Sequence, residues 1–401
     1  MLCEHFGRCG GCAYSDISYE EELAIKQAGL AETLGGRSIK LHPAPALQGY
    51  RNKMEFSFGD SGANSPLALG IRKKRSFYEV ASPENCVLIC DDFKKIVAFA
   101  AEFFHNAGET FFHRKRHTGA LRHLVLRRGE FTGEILVMLS ASSALQASLD
   151  DFVSGLLALP LEGSIVGILH AENDGVADAV KNENVKLLHG RDYFFEKICG
   201  LTFKVSVFSF FQTNSRGAEV LYDVVKRFAG AGRVALDLYC GTGTIAQIIA
   251  PAFERVIGAE IVEEAIIAAR ENAAANGIAN CDFFAEDTLD FLQKVKISGE
   301  GAESDNCESL SEIFEKDGKQ NADCIILDPP RDGLHPKALG QIAALGAPRV
   351  IYVACKPKSL ARDLPAFIEA GYVVKEIEAV DMFPRTPHVE AVALLERGQP
   401  C

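Results

Sequence analysis

The sequence predicts an α/β Rossmann-like domain in its second half, preceded by an α+β domain in its first half. In the second half, short apolar runs that suit buried strands alternate with stretches of helical periodicity, which is typical of a doubly wound parallel sheet. In the first half, residues 18–34 have helical periodicity, whereas 121–126 and 133–140 alternate as strands do. A length of 401 residues allows two or three domains at about 150 residues each, and we predict them at 1–200 and 201–401.

Four apolar runs of the second half are each followed by a polar group at the predicted end of a strand. The run 234–239 leads into the glycine turn 240–244, and glycines there allow the backbone to approach a ligand closely. The second run ends at Glu260, about 20 residues on, where a carboxylate can bind ribose hydroxyls. The third ends beside Asp287, and the fourth in a DPPR sequence whose two prolines stop the strand and present Asp328 and Arg331. Position 246 is Ala where the dinucleotide motif has its third glycine, so a nucleoside fits better than a pyrophosphate.

The fifth apolar run, 350–354, ends at a cysteine that differs from the others in the half. Cys355 stands at a strand terminus beside Lys356, which could favour the thiolate. Glu390 follows a proline-rich loop and precedes an apolar strand, so it could be a partly buried base with a raised pKa. Without Cys355, an ordinary polar loop would be the default interpretation of His388 and Glu390.

Three of the twelve cysteines fall within ten residues near the N-terminus. Cys3, Cys9 and Cys12 are spaced as Cys-x5-Cys-Gly-Gly-Cys, which is a metal-site pattern. Zinc and an iron–sulfur cluster both fit three-plus-one ligation, with Cys86 as the best candidate for the fourth ligand and Cys90 as its rival.

The chain shows no sign of export or of membrane insertion. No apolar run approaches the ~20 residues of a membrane span, and the N-terminus has no hydrophobic signal region. We therefore expect a cytoplasmic protein with no membrane partner, and thiols that stay reduced.

The net charge of −12 argues against a polyanionic partner, but the charge is unevenly distributed. Residues 299–319 hold seven acids against two lysines and are predicted to be an acidic surface insertion. Residues 71–75 carry four positive charges, and 113–128 carry six Lys and Arg with three His and no acid. Such runs supply phosphate contacts to RNA, and four aromatic residues lie near them for base stacking, namely Phe77, Tyr78, Phe111 and Phe112.

The order of these motifs resembles the S-adenosylmethionine-dependent RNA (uracil-5)-methyltransferases. The motifs are FFQTN at 210–214, DLYCGTG at 237–243, Glu260, LDPPR at 327–331, VACKP at 353–357 and PHVE at 387–390. The family usually has Ser-Cys-Asn-Pro where this chain has Ala-Cys-Lys-Pro, which keeps the cysteine and the proline. The resemblance implies a class I methyltransferase domain at 201–401 and, at 1–200, an α+β domain that carries a cluster and an RNA-binding surface.

The resemblance also implies a role for each matching residue. Cys355 would add to C6 of a uracil, and Glu390 would remove the proton from C5 after methyl transfer. Arg331 would line the uracil pocket. The residues implied to bind S-adenosylmethionine are Gln212, Tyr239, Thr244, Glu260, Asp287 and Asp328. The cysteines implied to hold a [4Fe-4S] cluster are Cys3, Cys9, Cys12 and Cys86.

The implied substrate is a flipped uridine in a loop of 23S rRNA. The resemblance is closest to the 23S branch, which has the cysteine spacing, and we expect the small β-barrel domain that many members carry before the cysteines to be absent. Two alternatives stay open: a tRNA uracil-C5 methyltransferase, and a non-catalytic RNA-binding iron–sulfur protein that keeps the fold without turnover. Cys355 together with Glu390 favours an enzyme, since a scaffold needs neither.

Overall fold

The computed structural model describes residues 3–62, 65–176, 184–298 and 322–398. The acidic insertion predicted at 299–319 lies outside the described residues. The strands are β1 (Lys40–His42), β2 (Lys53–Asp60), β3 (Leu67–Arg72), β4 (Val80–Ala81), β5 (Leu121–Arg128), β6 (Glu134–Ala141), β7 (Ser164–Glu172), β8 (Val185–Gly190), β9 (Tyr193–Ile198), β10 (Leu201–Ser206), β11 (Gly232–Leu238), β12 (Phe253–Glu260), β13 (Cys281–Ala285), β14 (Cys324–Leu327), β15 (Arg349–Ala354), β16 (Tyr372–Val380) and β17 (Glu390–Arg397). The helices are α1 (Tyr19–Thr33), α2 (Asp91–Asn106), α3 (Leu149–Leu157), α4 (Ser215–Ala229), α5 (Thr244–Ile249), α6 (Glu263–Ala275), α7 (Thr288–Ser298), α8 (Pro336–Ala344) and α9 (Pro357–Glu369). Within these ranges, no helix has the length and apolarity that crossing a membrane requires.

The predicted elements of the first half form where their patterns place them. Helix α1 starts at a capping box: Ser18 Oγ accepts from the Glu21 N–H at 3.1 Å, and the Glu21 carboxylate accepts from the Ser18 N–H at 2.9 Å. The alternating runs become β5 and β6, neighbours in a seven-stranded sheet of order β4-β3-β2-β5-β6-β7-β8. Helices α2 and α3 pack on this sheet, so the described part of this half is α+β.

The second half forms an eight-stranded sheet of order β1-β16-β17-β15-β14-β11-β12-β13. Neighbouring strands from β15 to β13 in that order are parallel, as the alternation of strands and helices predicts. The sheet is nevertheless mixed, because β17 runs antiparallel to both β15 and β16. The prediction of a wholly parallel sheet is wrong at this strand, since an apolar run does not encode the direction in which it pairs.

The central strands of this sheet are buried on both faces. Ile326 lies in one apolar core, whereas Ile325 and Leu327 lie in the other. Burial on both faces explains why these strands are continuous apolar runs rather than alternating ones. The first core also contains side chains of β5 and β6, so the two sheets share it.

One short strand of the first half belongs to the sheet of the second. Strand β1 pairs in parallel with β16, with Leu41 opposite Ala379. The N-terminal segment therefore packs on the edge of the eight-stranded sheet. The domain boundary at residue 200 stays a prediction.

Candidate active site

The turn after β11 is built from residues in the left-handed conformation. Tyr239, Gly241 and Gly243 have φ values of 67°, 53° and 72°. A Cβ on Gly243 would lie 2.6 Å from the Phe283 ring, so only glycine fits there, whereas no atom lies within 4 Å of a Cβ on Gly241. The backbone at Gly241 is thus free to approach a ligand.

Glu260 closes this turn from the next strand. Its carboxylate accepts hydrogen bonds from the N–H of Gly241 at 3.3 Å and of Val262 at 3.1 Å. The carboxylate is therefore held at the carboxyl end of β12, in the position where open α/β sheets bind a ribose.

A cavity of about 710 Å³ opens at the carboxyl ends of the parallel strands. It brings together eight of the nine residues predicted for catalysis, cofactor binding and substrate binding: Gln212, Tyr239, Thr244, Glu260, Asp328, Arg331, Cys355 and Glu390. Asp287 is not among its lining residues. It is exposed, and its carboxylate accepts from the Leu289 N–H at 2.8 Å, which caps the start of α7.

The antiparallel strand explains how Cys355 and Glu390 meet. Ala354, the last residue of β15, is paired with Ala391 of β17. Because the strands run in opposite directions, Cys355 just beyond β15 and Glu390 at the start of β17 lie at the same end of the sheet. Glu390 is also paired with Val380 of β16 and is 4% exposed.

The buried carboxyl groups at this end of the cavity have raised pKa values. Burial raises the pKa of Asp328 to about 7. Burial, with the nearby Asp328 carboxylate, raises the pKa of Asp237 to about 8, although Asp237 accepts from the Ala246 N–H at 3.0 Å. Burial and Asp328 also raise the pKa of Glu390 well above its usual range. Burial is the largest cause in each case, because it disfavours the charged form, and the charge of Asp328 adds to it at Asp237 and Glu390.

The cation beside the thiol is Arg331. Burial raises the pKa of the Cys355 thiol, and the Glu390 and Asp328 carboxylates raise it further, whereas a hydrogen bond and the charge of Arg331 lower it. The same guanidinium lowers the pKa of Glu390. Lys356, which the sequence suggested for this role, instead caps α9, where its carbonyl accepts from the Ser359 hydroxyl at 2.7 Å.

Three further residues line the cavity, and none of them was assigned a role from the sequence. Phe210 and Ile261 are 69% and 66% exposed although they are large and apolar, and both form walls of the cavity. Arg51 also lines it, with a buried Nε that has no hydrogen-bond partner among the described atoms. Phe210 belongs to the FFQTN motif and Ile261 directly follows Glu260, so their positions in the sequence could have indicated both. Arg51 comes from the first half and is brought there by the fold.

Four cysteines of the first half line a second, small cavity. Cys3, Cys9, Cys12 and Cys86 share its walls with apolar side chains such as Leu88. Cys90 is not among its lining residues and instead stands at the N-cap of α2. In the part of the chain described, no three His, Cys, Asp or Glu side chains are grouped closely enough to hold a metal ion.

The two basic runs meet, but only in part at the surface. The Tyr78 ring, just after the first run, stacks on His113 of the second at 4.3 Å between centroids. Arg122, His123 and Arg127 of the second run are each 2% exposed, because β5 lies inside its sheet. Those three cannot contact phosphates as the run predicted. Within the two runs, the exposed basic residues are those at 74–75 and 115–117.

This sheet and its ligand cavity define a class I S-adenosylmethionine-dependent methyltransferase. The crystal structure of the Pyrococcus abyssi tRNA (uracil-54, C5)-methyltransferase in complex with S-adenosyl-L-homocysteine superposes with a TM-score of 0.76 at 25% identity. The superposition covers 96% of this chain and 86% of that one.

Sequence comparison places the chain within this class. The profile of the tRNA (uracil-5-)-methyltransferase family matches residues 180–398. An uncharacterized RNA methyltransferase of Caldanaerobacter subterraneus subsp. tengcongensis is 40% identical over 99% of this chain and 84% of its own length. One of Clostridium tetani is 40% identical over 98% of this chain and 83% of its own length. The chain belongs to the tRNA (uracil-5-)-methyltransferase family and is an S-adenosylmethionine-dependent RNA methyltransferase.

Proposed function

We propose that the protein transfers a methyl group from S-adenosylmethionine to C5 of a uridine in 23S rRNA, with Cys355 as nucleophile and Glu390 as base. The observation that supports this reaction is the placement of Cys355 and Glu390 at adjoining strand ends within one cavity. Methylation at C5 of a uracil requires a nucleophile that can add to C6 and a base that can remove the proton from C5. A thiol and a buried carboxylate that lie close together can supply both.

C5 of uracil is a weak nucleophile, so the reaction begins at C6. The Cys355 thiolate adds to C6, and the electron pair of the C5–C6 double bond moves into an enolate. C5 then attacks the sulfonium methyl group, and S-adenosylhomocysteine leaves. Glu390 takes the C5 proton, the C–H electron pair re-forms the double bond, and the C6–S bond breaks to return the thiolate.

The remaining cavity residues have binding roles in this proposal. Glu260 would bind the ribose hydroxyls of S-adenosylmethionine at the Gly241 turn, and Gln212, Tyr239, Thr244 and Asp328 would complete its site. Arg331 would contact the uracil while stabilising the thiolate of Cys355, as its hydrogen bond to that thiol supports. Asp287 would contribute from the rim, since it lies outside the cavity lining.

We also propose that Cys3, Cys9, Cys12 and Cys86 hold a [4Fe-4S] cluster. What supports this proposal is that four thiols from two distant segments line one apolar-walled cavity, although in the described residues they are not grouped as closely as bound metal ligands are. When bound, the cluster would cross-link the N-terminal segment to residue 86, and methyl transfer draws no electron from it.

The target base must leave its stack to reach the cavity, at a cost of a few kcal/mol that is least in a loop. The proposal of 23S rRNA rests on the resemblance of the cysteine segment to the 23S branch. A second candidate substrate is tRNA, which the similarity to the Pyrococcus abyssi tRNA enzyme favours.

The test is methyl transfer from isotopically labelled S-adenosylmethionine to 23S rRNA and to tRNA from a strain that lacks the gene. We expect 5-methyluridine in 23S rRNA with the wild-type protein. We expect a rate lower by at least about 10³-fold with Cys355→Ala. Cys199→Ala, which alters an exposed thiol that is not among the residues lining the cavity, serves as the matched control and should retain the wild-type rate. Transfer to tRNA alone would replace the substrate proposed here, and transfer by Cys355→Ala would refute the mechanism.

A further inference from the structure

A buried ionic network ties the N-terminal segment to the loop that carries Glu390. We refer to residues 3–14 as the cysteine segment and to 381–390 as the base loop. Lys26 is 2% exposed at its side chain and donates to Glu22 at 2.6 Å and to Asp381 at 2.7 Å, both fully buried. The Tyr19 hydroxyl donates to the other Asp381 oxygen at 2.9 Å. Buried charges that are fully paired hold their elements in one geometry, because any displacement leaves a charge unpaired.

Arg385 extends this network to the cysteine segment by its backbone. Its carbonyl accepts hydrogen bonds from the N–H groups of Ala13 at 2.8 Å and Tyr14 at 3.3 Å. Its own N–H donates to the Glu22 carboxylate at 2.7 Å. Ala13 directly follows Cys12, so the cysteine segment and the base loop are adjacent through these bonds.

The side chain of Arg385 reinforces the same contact. Its guanidinium donates to the carbonyls of Tyr14 at 3.2 Å and Ile17 at 3.1 Å, and lies 3.5 Å from the Glu22 carboxylate. Arg385 has a φ of 70°, an uncommon backbone conformation for a residue other than glycine. The surrounding bonds therefore hold the loop in a conformation that the chain alone would seldom adopt.

The base loop also forms part of the wall of the cavity that contains Cys355. Phe383, His388 and Glu390 all line that cavity. The loop is braced internally, since Thr386 donates to the Phe383 carbonyl at 2.8 Å and accepts from the His388 N–H at 3.3 Å. Arg385 therefore lies five residues before Glu390 in a loop that these bonds brace.

We propose that Arg385 is a positioning residue that fixes the base loop to the cysteine segment, so that Glu390 is held where it removes the C5 proton. The inference rests on the proposed function. It also assigns the cysteine segment a part in catalysis that requires no electron transfer: the segment is the support on which the base loop rests.

The test is the variant Arg385→Ala, which removes the guanidinium bonds and leaves the backbone ones. We expect kcat to fall about 10- to 100-fold, as for other small misplacements of a reacting group, with the affinity for S-adenosylhomocysteine unchanged. Because proton removal follows methyl transfer, the methylated covalent RNA adduct should accumulate on denaturing gels. Amide hydrogen exchange in the base loop should accelerate while exchange in β11 and β14 stays as in the wild type.

Two further variants complete the experiment. Arg385→Lys keeps the charge but not the planar set of donors, so it should show an intermediate kcat and remains informative if the alanine variant does not fold. Arg255→Ala removes another arginine in an ion pair, with Asp282 at 2.6 Å near the opposite edge of the sheet, and should leave every readout unchanged. Wild-type kcat in both Arg385 variants, or a slow variant with no adduct, would overturn the inference. A wild-type protein that methylates no uridine would instead reject the proposed function.

Discussion

Cys355 and Glu390 are neighbours because one strand of the sheet runs against the others. The register of β15 with β17 pairs Ala354 with Ala391, so the residues just before and just after that pair share an end of the sheet. If β17 ran parallel to β15, Glu390 would lie at the opposite end of the strands from Cys355. The proximity of the proposed nucleophile and base therefore depends on the reversed direction of β17.

Replacement of Glu390 by Gln should separate methyl transfer from product release. The amide cannot take the C5 proton, so the C6–S bond to Cys355 persists, and a covalent RNA–protein adduct should accumulate with the methyl group already on C5. A denaturing gel with labelled RNA and, separately, with labelled S-adenosylmethionine measures both. The double variant that also carries Cys355→Ala should form no adduct, and an adduct in it would exclude Cys355 as the bonded residue.

The pH dependence of the reaction should be set by Cys355 and Glu390. Both act in their deprotonated forms, and the pKa of each is raised by burial and by neighbouring carboxylates. We therefore expect kcat/KM to increase with pH through the neutral range and to be still increasing beyond the ordinary pKa of a cysteine thiol, which is about 8.5. Arg331→Gln removes a cation that lowers both pKa values, so its profile should shift to higher pH. Arg255→Gln is the control, and an unshifted Arg331→Gln profile would contradict the role given to the guanidinium.

Asp237 should make the stability of the protein depend on pH. Its folded-state pKa of about 8 is above the ordinary value, so the folded protein holds a proton that the unfolded chain has released. This proton uptake contributes to the free energy of unfolding in full below about pH 4. The contribution is lost as the pH rises to about 8, by up to about 1 kcal/mol per pH unit. Asp237→Asn keeps an acceptor for the Ala246 N–H without an ionisable group. Urea titrations followed by circular dichroism measure the free energy of unfolding of both proteins. The value for the variant minus that for the wild type should therefore increase between pH 5 and 8. A constant difference would show that Asp237 is ionised in the fold.

The two candidate fourth ligands give a matched pair of variants. Cys86 lines the small cavity with Cys3, Cys9 and Cys12, whereas Cys90 does not. Anaerobically purified Cys86→Ser should lose iron, sulfide and the broad visible absorption, and Cys90→Ser should keep on the order of four iron atoms per chain. Loss of iron in Cys90→Ser alone, or stoichiometric zinc without sulfide in the wild type, would contradict the proposed cluster.

Local sequence was sufficient to predict most of the residues that line the cavity and that we propose to bind S-adenosylmethionine. Tyr239, Glu260 and Asp328 each follow an apolar run that forms a parallel strand, and the carboxyl ends of such strands meet at one edge of the sheet. Asp287 follows the same pattern, but its carboxylate caps α7 outside the cavity lining, because the pattern places a residue at the edge without directing its side chain. Its role in cofactor binding stays a prediction.

What the sequence by itself determined is therefore the five apolar runs that form β11 to β15 and the polar groups at their ends, since each depends on a few consecutive residues. Only the tertiary structure decided that β17 is antiparallel, that Arg331 rather than Lys356 reaches the Cys355 thiol, and that Arg127 is buried rather than exposed to RNA. It also decided that Arg385 joins the cysteine segment to the base loop, more than 370 residues apart in the chain. These relationships depend on pairing direction and on packing between distant segments, which no local pattern of residues encodes.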